Sequence, residues 1–332
     1  MKNVCYLFIL LLMVVGCNDK QNSKIECDLV GYIPDIDVNL PYMRLPYRVE
    51  LDNDMLVVMD LVSDSMHYHF LNYSNLSYLY SAGKRGQGPN EIILSTPFQL
   101  KNDKAYFLDG ARSKLYTYSY SKDKLEVINE WKLGDSKTTL DFIIVNDSNV
   151  VTQDFSGSNR LLQITRQNQE GMFSIPTMDE GEGFNAELAY IWRSFMAYND
   201  DLGKVALATQ FGDVIEIYDL ENKSSEVVVG DKGMPKNNQG QIEGFCDVKW
   251  IDNKIYALFS GRLRADLIRK SEEGKKEPTG GNIIKVYDEN GKFLEMYHLD
   301  TYINGFTIDK QNERLIAVTS NVDEAVLFFD MK

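Results

Sequence analysis

Apolar and polar positions along this chain alternate at the spacing of strands: a short β-rich run, a turn, then another run, with no sustained apolar spacing of three and four. Six runs read as copies of one strand: Val57-Val58-Met59-Asp60, Ala105-Tyr106-Phe107-Leu108-Asp109, Val150-Val151-Thr152-Gln153-Asp154, Val205-Ala206-Leu207-Ala208-Thr209, Ile255-Tyr256-Ala257-Leu258-Phe259 and Leu315-Ile316-Ala317-Val318-Thr319. They recur roughly every fifty residues, a period that suits propeller blades. A turn of Asn, Asp, Lys or Gly type precedes each, such as Lys101-Asn102-Asp103 or Asp252-Asn253. An aromatic-rich strand follows, such as Val214 to Asp219 or Ile283 to Asp288. The pattern predicts hairpins.

Blades one to five, from Tyr47 to about His298, take four strands each. The tail supplies three: Tyr302 to Ile308, Arg314 to Thr319 and Ala325 to Asp330. One strand is left over at the front, Ile25 to Ile33. If it pairs with the last blade, the ring closes and the exposed edges vanish. The expectation is therefore an all-β fold, a six-bladed β-propeller of four-stranded antiparallel blades whose last blade is closed by the N-terminal strand.

A second repeat has the same register. Gly83-Lys84-Arg85-Gly86-Gln87-Gly88-Pro89-Asn90-Glu91, Gly181-Glu182-Gly183 and Gly230-Asp231-Lys232-Gly233 each follow the last strand of a blade. Gly86, Gly88 and Pro89 are expected to shape an inter-blade turn. A phosphate cradle is the competing reading, with Lys84 and Arg85 nearby. The segment lacks a Gly-Lys-Ser/Thr ending, however, and runs into a strand instead of a helix.

Ahead of this region lies Met1-Lys2-Asn3, an almost unbroken apolar run from Val4 to Val15, then Gly16-Cys17 and an abrupt switch to polar residues. The run is too short to span a bilayer, which takes about 20 apolar residues, and reads as a signal peptide. Val14-Val15-Gly16-Cys17 resembles the lipobox of bacterial lipoproteins, in which the Cys is acylated and becomes the new N-terminus. The expected organisation is a signal peptide over 1–16, a lipidated Cys17 and polar tether over 17–24, and the propeller over 25–332. Several acyl chains on one residue anchor stably where a single chain is marginal. With the lipobox at Cys17 and the Gly86-Gln87-Gly88-Pro89-Asn90-Glu91 loop, the mature chain resembles the TolB-like or NHL-like six-bladed β-propeller lipoproteins of Gram-negative bacteria. That resemblance implies an architecture and an outer-membrane location, periplasmic or surface-exposed; it brings no catalytic residues with it.

The net charge of −14, or −15 once Lys2 leaves with the signal peptide, argues against nucleic acid and against adsorption to anionic lipid. Cys5 leaves with the signal peptide and Cys17 carries lipid. Cys27 and Cys246 remain, each in an apolar strand-like context where a buried free thiol is the usual outcome. His67, His69 and His298 are the only histidines. His67 and His69 share one face of a strand but lack a third ligand nearby, so packing is the simpler role. A serine or cysteine nucleophile would need a histidine base and an orienting carboxylate, and no Gly-x-Ser-x-Gly elbow is present.

The preferred function is therefore non-enzymatic: binding of a small polar ligand or a protein partner in the cell envelope, with no cofactor. In an up-and-down blade, links from strand two to three and links between blades share a face. Arg85, Arg112, Arg193, Glu243, Arg262 and Asn304 are expected to cluster there, around the channel mouth. The same face should carry the Gly261–Gly281 insertion, which holds six Lys or Arg against four Asp or Glu and is read as a solvated loop. The alternative is a calcium-dependent hydrolase of lactonase type, with Asp141, Glu243 and Asn304 as oxygen ligands. Against it, Arg44 and Arg193 occupy equivalent places in two other blades and would repel a cation.

Overall fold

The computed structural model describes residues 25–33, 40–134, 140–176, 186–237 and 240–331. The signal peptide, Cys17, the tether and the Gly181 loop lie outside the described residues. After β1 (Ile25–Leu29), blade one comprises β2 (Pro46–Asp52), β3 (Met55–Asp60), β4 (Met66–Asn72) and β5 (Ser77–Lys84). Blade two follows with β6 (Gln99–Lys101), β7 (Lys104–Asp109), β8 (Lys114–Tyr120) and β9 (Leu125–Lys132), and blade three with β10 (Phe142–Asn146), β11 (Asn149–Gln153), β12 (Leu161–Thr165) and β13 (Gln169–Met172). A short helix, α1 (Ala186–Ile191), leads into blade four, made of β14 (Ser194–Asn199), β15 (Lys204–Thr209), β16 (Val214–Asp219) and β17 (Ser224–Val229). Blade five contains β18 (Ile242–Ile251), β19 (Lys254–Leu263), helix α2 (Arg264–Glu272), β20 (Gly281–Asp288) and β21 (Phe293–Ile303). Blade six has β22 (Gly305–Asp309), β23 (Arg314–Val318) and β24 (Val326–Asp330). Each blade is antiparallel in chain order.

The apolar runs are continuous because each second strand is sandwiched between two neighbouring blades. β3 is buried at every position. Its Val57 and Met59 pack with Phe98, Phe107 and Tyr118 of blade two, while Leu56 and Val58 pack with Ile316, Val318 and Phe328 of blade six. The same division recurs in β15, where Ala206 and Ala208 face blade five and Val205 and Leu207 face blade three. Side chains that alternate across a strand meet protein on both sides here, so no polar alternation survives. The outermost strands behave differently: β17 is largely exposed, with Val229 45% accessible.

In blades one and two, the end of the second strand ties down the segment that leads into the blade. Asp60 accepts the backbone N–H groups of Arg44 and Leu45 (3.0 and 2.9 Å), and the fully buried Asp109 accepts those of Ile93 and Leu94 (3.1 and 3.3 Å). In blade four the equivalent residue is Thr209, whose hydroxyl bonds both backbone groups of Val214. A carboxylate accepting backbone N–H groups supplies buried donors that would otherwise be orphaned.

The ring is closed by the N-terminal segment, in two steps. β1 runs parallel to β21, pairing Ile25 with Glu295 through Leu29 with Leu299, and so adds a fifth strand to blade five. The chain then crosses to blade six, where Tyr32 and Phe328 exchange two backbone hydrogen bonds of 2.9 Å. Cys27 on β1 and Cys246 on β18 are free and sit on opposite edge strands of one five-stranded sheet. Three strands separate them, a gap of about 19 Å at roughly 4.8 Å per strand, which no disulfide bridges. Among the described residues no helix is long and apolar enough to cross a membrane.

Candidate functional site

Arg48 divides the central channel into a short-turn end and a long-loop end. This buried side chain donates to the carbonyls of Tyr47 (2.7 Å), Asn304 (2.9 Å) and Cys246 (2.6 Å), pairs with Asp247 (3.3 Å), and lies between the Tyr47 and Phe195 rings. Burial opposes its charge, but Asp247, Tyr47, Asp141 and Cys246 together outweigh it, and the net effect is an upward shift. On the short-turn side lies a cavity of about 220 Å³ that includes Arg48, Glu50, Lys101, Asp141, Asp247 and Lys249. Lys249 pairs with Glu50, and Lys101 pairs with Asp200 (2.6 Å). Every cation there has a carboxylate beside it.

Asp141, expected as a metal ligand in the alternative reading, is a clasp between blades. Its oxygens accept the N–H groups of Phe142 (2.8 Å) and Met196 (2.9 Å), joining β10 to β14. Asp247 repeats the arrangement between β18 and β22, accepting from Val248 (2.9 Å) and Phe306 (3.1 Å). Burial pushes the Asp141 carboxyl up to about 7, against the pull of the two N–H groups and Arg48.

On the long-loop side a cavity of about 600 Å³ opens among blades one, four, five and six. Its size lies within the range of small-molecule sites. Phe195, Phe211 and Phe245 supply aromatic walls, while Leu267 and Ile268 of α2 form an apolar flank. The Gly261–Gly281 insertion, read from sequence as a solvated loop, contains this helix. No residue of α2 is buried, and Ile268 is 51% exposed, so the helix contributes its apolar face to the cavity more than to the core.

A bulge in β18 builds the wall opposite. Register shifts on either side of Phe245 let the strand reach past its own blade: Gly244 donates to Gln210 (2.9 Å), and Gly212 donates to Ile242 (3.2 Å). A Cβ on Gly244 would sit 2.3 Å from the Gly212 carbonyl oxygen, so only glycine allows this approach. The consequence is that Phe211 of blade four lies beside Glu243 of blade five.

Of the residues expected at this mouth, Arg193, Glu243 and Asn304 line the cavity together. Arg262 sits behind Glu243, donating to its carboxylate (2.6 Å) and to the carbonyls of Pro278 (2.6 Å) and Gly280 (2.9 Å), which fixes the base of the insertion. Asn304 is spent on structure as well: it donates to Pro46 (2.9 Å) and accepts from Thr279 (2.8 Å). Arg85 and Arg112 do not line the cavity. Arg85 donates to the Ser63 carbonyl (3.0 Å), and Arg112 to those of Glu91 (2.7 Å) and Gln87 (2.6 Å), so both brace the connection from blade one to blade two.

That connection satisfies itself. Glu91 takes the Gly88 N–H (2.8 Å) and the Lys84 ammonium (2.6 Å), the groups a phosphate would have used. The Lys84 contact, followed by the Gly88 N–H, holds the Glu91 carboxyl below its usual range. Gly86 adopts φ 156°, and a Cβ there would lie 2.0 Å from Glu91 Oε2. Pro89 lies within the turn that the Glu91 N–H closes onto the Gly88 carbonyl (3.3 Å).

The calcium reading is not supported by this geometry. Asp141 opens onto the short-turn cavity, Glu243 is already paired with Arg262, and the Asn304 oxygen is held by Thr279. Among the described residues no group of three or more His, Cys, Asp or Glu could hold a metal ion. Arg44, the other cation expected in that ring, pairs with Asp64 at the surface (2.9 Å). His67 and His69 are buried, and burial lowers the pKa of both. Cys246 lines the long-loop cavity, and burial pushes its thiol up to about 12, which favours the protonated form.

Arg264 was not singled out by sequence reasoning. It projects from the first residue of α2 to 5.3 Å from the Phe211 ring, and it donates to Gln241 (2.7 Å). The only signal was the excess of basic residues in the insertion. Arg193 lies between the Tyr190 and Phe211 rings, at 4.5 and 4.4 Å. Tyr190 on α1 is three residues ahead of it, so the last turn of that short helix sets the stack.

Fold and cavity together define a six-bladed β-propeller with a ligand-sized opening at its long-loop face. The chain belongs to the TolB-like six-blade propeller-like family, whose model matches residues 36–311. Comparison with curated proteins gives no match. Among solved structures, a Bacteroides fragilis NCTC 9343 protein described as exported has 12% identity and a TM-score of 0.56, over 92% of this chain and 98% of that one. A member of the duf4221 family from Bacteroides vulgatus ATCC 8482 has 10% identity and a TM-score of 0.57, over 91% and 95%. A luciferin-regenerating enzyme has 9% identity and a TM-score of 0.51, over 87% and 92%. At these identities the likeness extends to the fold alone.

Proposed function

We propose that this chain is a lipoprotein of the outer membrane, periplasmic or surface-exposed, whose propeller binds a ligand in the long-loop cavity without transforming it. The observation that carries the binding reading is the cavity itself: about 600 Å³, with three aromatic walls and charged groups at its mouth, and neither an activated nucleophile nor a convergent set of metal ligands within it. The anchor rests on Gly16-Cys17 at the end of the apolar run. Similar folds in Bacteroides proteins, one of them described as exported, are consistent with that location.

Two measurements test the proposal. Cys17→Ser should abolish fatty-acid labelling of the protein in cells, and persistent labelling would overturn the anchor. Ile268→Trp should fill the cavity. Full-length protein purified from its native membrane should then release a bound small molecule on denaturation that the variant lacks. Equal recovery from both proteins would rule out the cavity as the site.

A further inference from the structure

Resting on that cavity as the ligand site, we infer that its ligand is a small organic monoanion: a carboxylate carried on a planar apolar body. The head-group assignment comes from charge. Among the described residues, neither Arg193 nor Arg264 has a carboxylate within ion-pair distance, although both guanidiniums lie against the same Phe211 ring. Arg193 Nε is buried with no hydrogen-bond partner. An unsatisfied buried donor on a cation is costly, and a second cation across one ring adds repulsion. A carboxylate in the cavity that both arginines line would relieve both.

Two carboxylates line the cavity, Glu243 and Glu272, and among the described residues neither pairs with Arg193 or Arg264. Glu243 is held by Arg262 through two nitrogens, at 2.6 and 3.2 Å, and also accepts from Ser260 (2.6 Å). The lining therefore presents two arginines without a paired carboxylate, the neutralised Glu243–Arg262 pair, and Glu272. A carboxylate suits that balance. A polyanion would be repelled by the overall charge of the chain.

The shape of the rest of the cavity defines the body of the ligand. Phe195, Phe211 and Phe245 line the cavity together with Leu267 and the exposed Ile268 of α2. A flat apolar group inserted here would pack on the aromatic lining and cover Ile268, which otherwise meets water. Arg193, gripped by two rings, is pre-organised to point its free edge at the head group, because little side-chain entropy remains to be lost on binding.

The test uses full-length protein in detergent with 3-phenylpropionate as probe and the neutral 3-phenylpropionamide as its isostere, followed by ligand-observed NMR. The acid should bind. Arg193→Met and Arg264→Gln should each weaken it at least about tenfold, as loss of a charge-assisted hydrogen bond implies, and Ile268→Trp should abolish it. Inorganic phosphate should not displace it. If acid and amide bind equally and Ile268→Trp blocks both, the cavity is a ligand site but anion recognition is overturned. If the acid fails to bind, or binds the arginine variants as well as the parent, the monoanion assignment fails. The recovery of a native ligand from the membrane-purified protein is a separate measurement, so the cavity reading stands or falls independently.

Discussion

At the short-turn end of the channel, Arg48, Lys249 and Lys101 each pair with a carboxylate, whereas at the long-loop end, among the described residues, Arg193 and Arg264 pair with none. Both ends are built from the same innermost strands, only a few residues apart along each. The closed end also hydrogen-bonds across blades: Asp141 joins β10 to β14, and Asp247 joins β18 to β22. There the buried charges serve the ring. At the open end the charges are left over, held in place by aromatic rings rather than by counterions, and a site that keeps unspent interactions is the one able to give them to a ligand.

The contrast breaks most visibly at Asp247. Asp247→Ala removes the partner of Arg48, the N–H acceptor for Phe306 and a neighbour of Lys249 in one step. Breaking a buried pair by removing one partner costs about 3–5 kcal/mol. Urea unfolding should show a loss of that size, and a loss under about 1 kcal/mol would mean the closed end is not what holds blades five and six together.

Asp141 sharpens the comparison through pH. Its folded-state pKa, about 7, stands above the ordinary value of 3.8, so the folded protein binds the proton more tightly than the unfolded chain does. The stability this contributes is fully present below about pH 4 and is lost as pH rises through 7, at about 1.4 kcal/mol per pH unit within that window. His67 and His69, lowered by burial, slope the opposite way below about 6.5 and are common to parent and variant. Asp141→Asn should therefore lose stability relative to the parent at pH 4, where its amide replaces one acceptor with a donor, and recover part of that difference by pH 7.5. A difference independent of pH, in denaturant titrations at the two values, would show that Asp141 is ionised throughout.

The blades were legible because burial on both sides of each second strand writes an uninterrupted apolar run, as in Val57-Val58-Met59, with a hydrogen-bonding residue at its end. Ring closure could be counted from strands, but the attachment of β1 to β21 could not, since a parallel edge pairing has no local signature in Ile25 to Leu29. At the site, the alternation of connections was enough to bring Arg193, Glu243 and Asn304 to one face. What each does there depends on partners distant in sequence. Arg262 finds Glu243, and Arg112 finds two carbonyls of the Gly86 loop. An aspartate ahead of an innermost strand reads equally as a metal ligand or a clasp, and at Asp141 the Met196 N–H, 55 residues away, decides it. Arg264 was hidden because nothing in the Gly261–Gly281 composition says that a helix will turn it toward Phe211.

The smallest expected effect on stability is the most informative about the open end. Arg160 and Arg193 flank blades three and four, but they are opposite cases. Arg160 is fully buried and bidentate to Glu216 (2.8 and 2.7 Å), with further bonds to Ser194 (2.7 Å) and the Trp192 carbonyl (2.9 Å). Arg193 has two rings and no carboxylate. Arg160→Met should cost about 3–5 kcal/mol because it strands Glu216. Arg193→Met keeps an extended apolar stem between Tyr190 and Phe211, where a thioether still packs on the rings, and it removes a charge that burial already disfavours. Its unfolding free energy should change by less than about 1 kcal/mol, or rise. If Arg193→Met destabilises the protein as much as Arg160→Met in the same urea titration, the guanidinium is a structural member of blade four and the open end holds nothing in reserve.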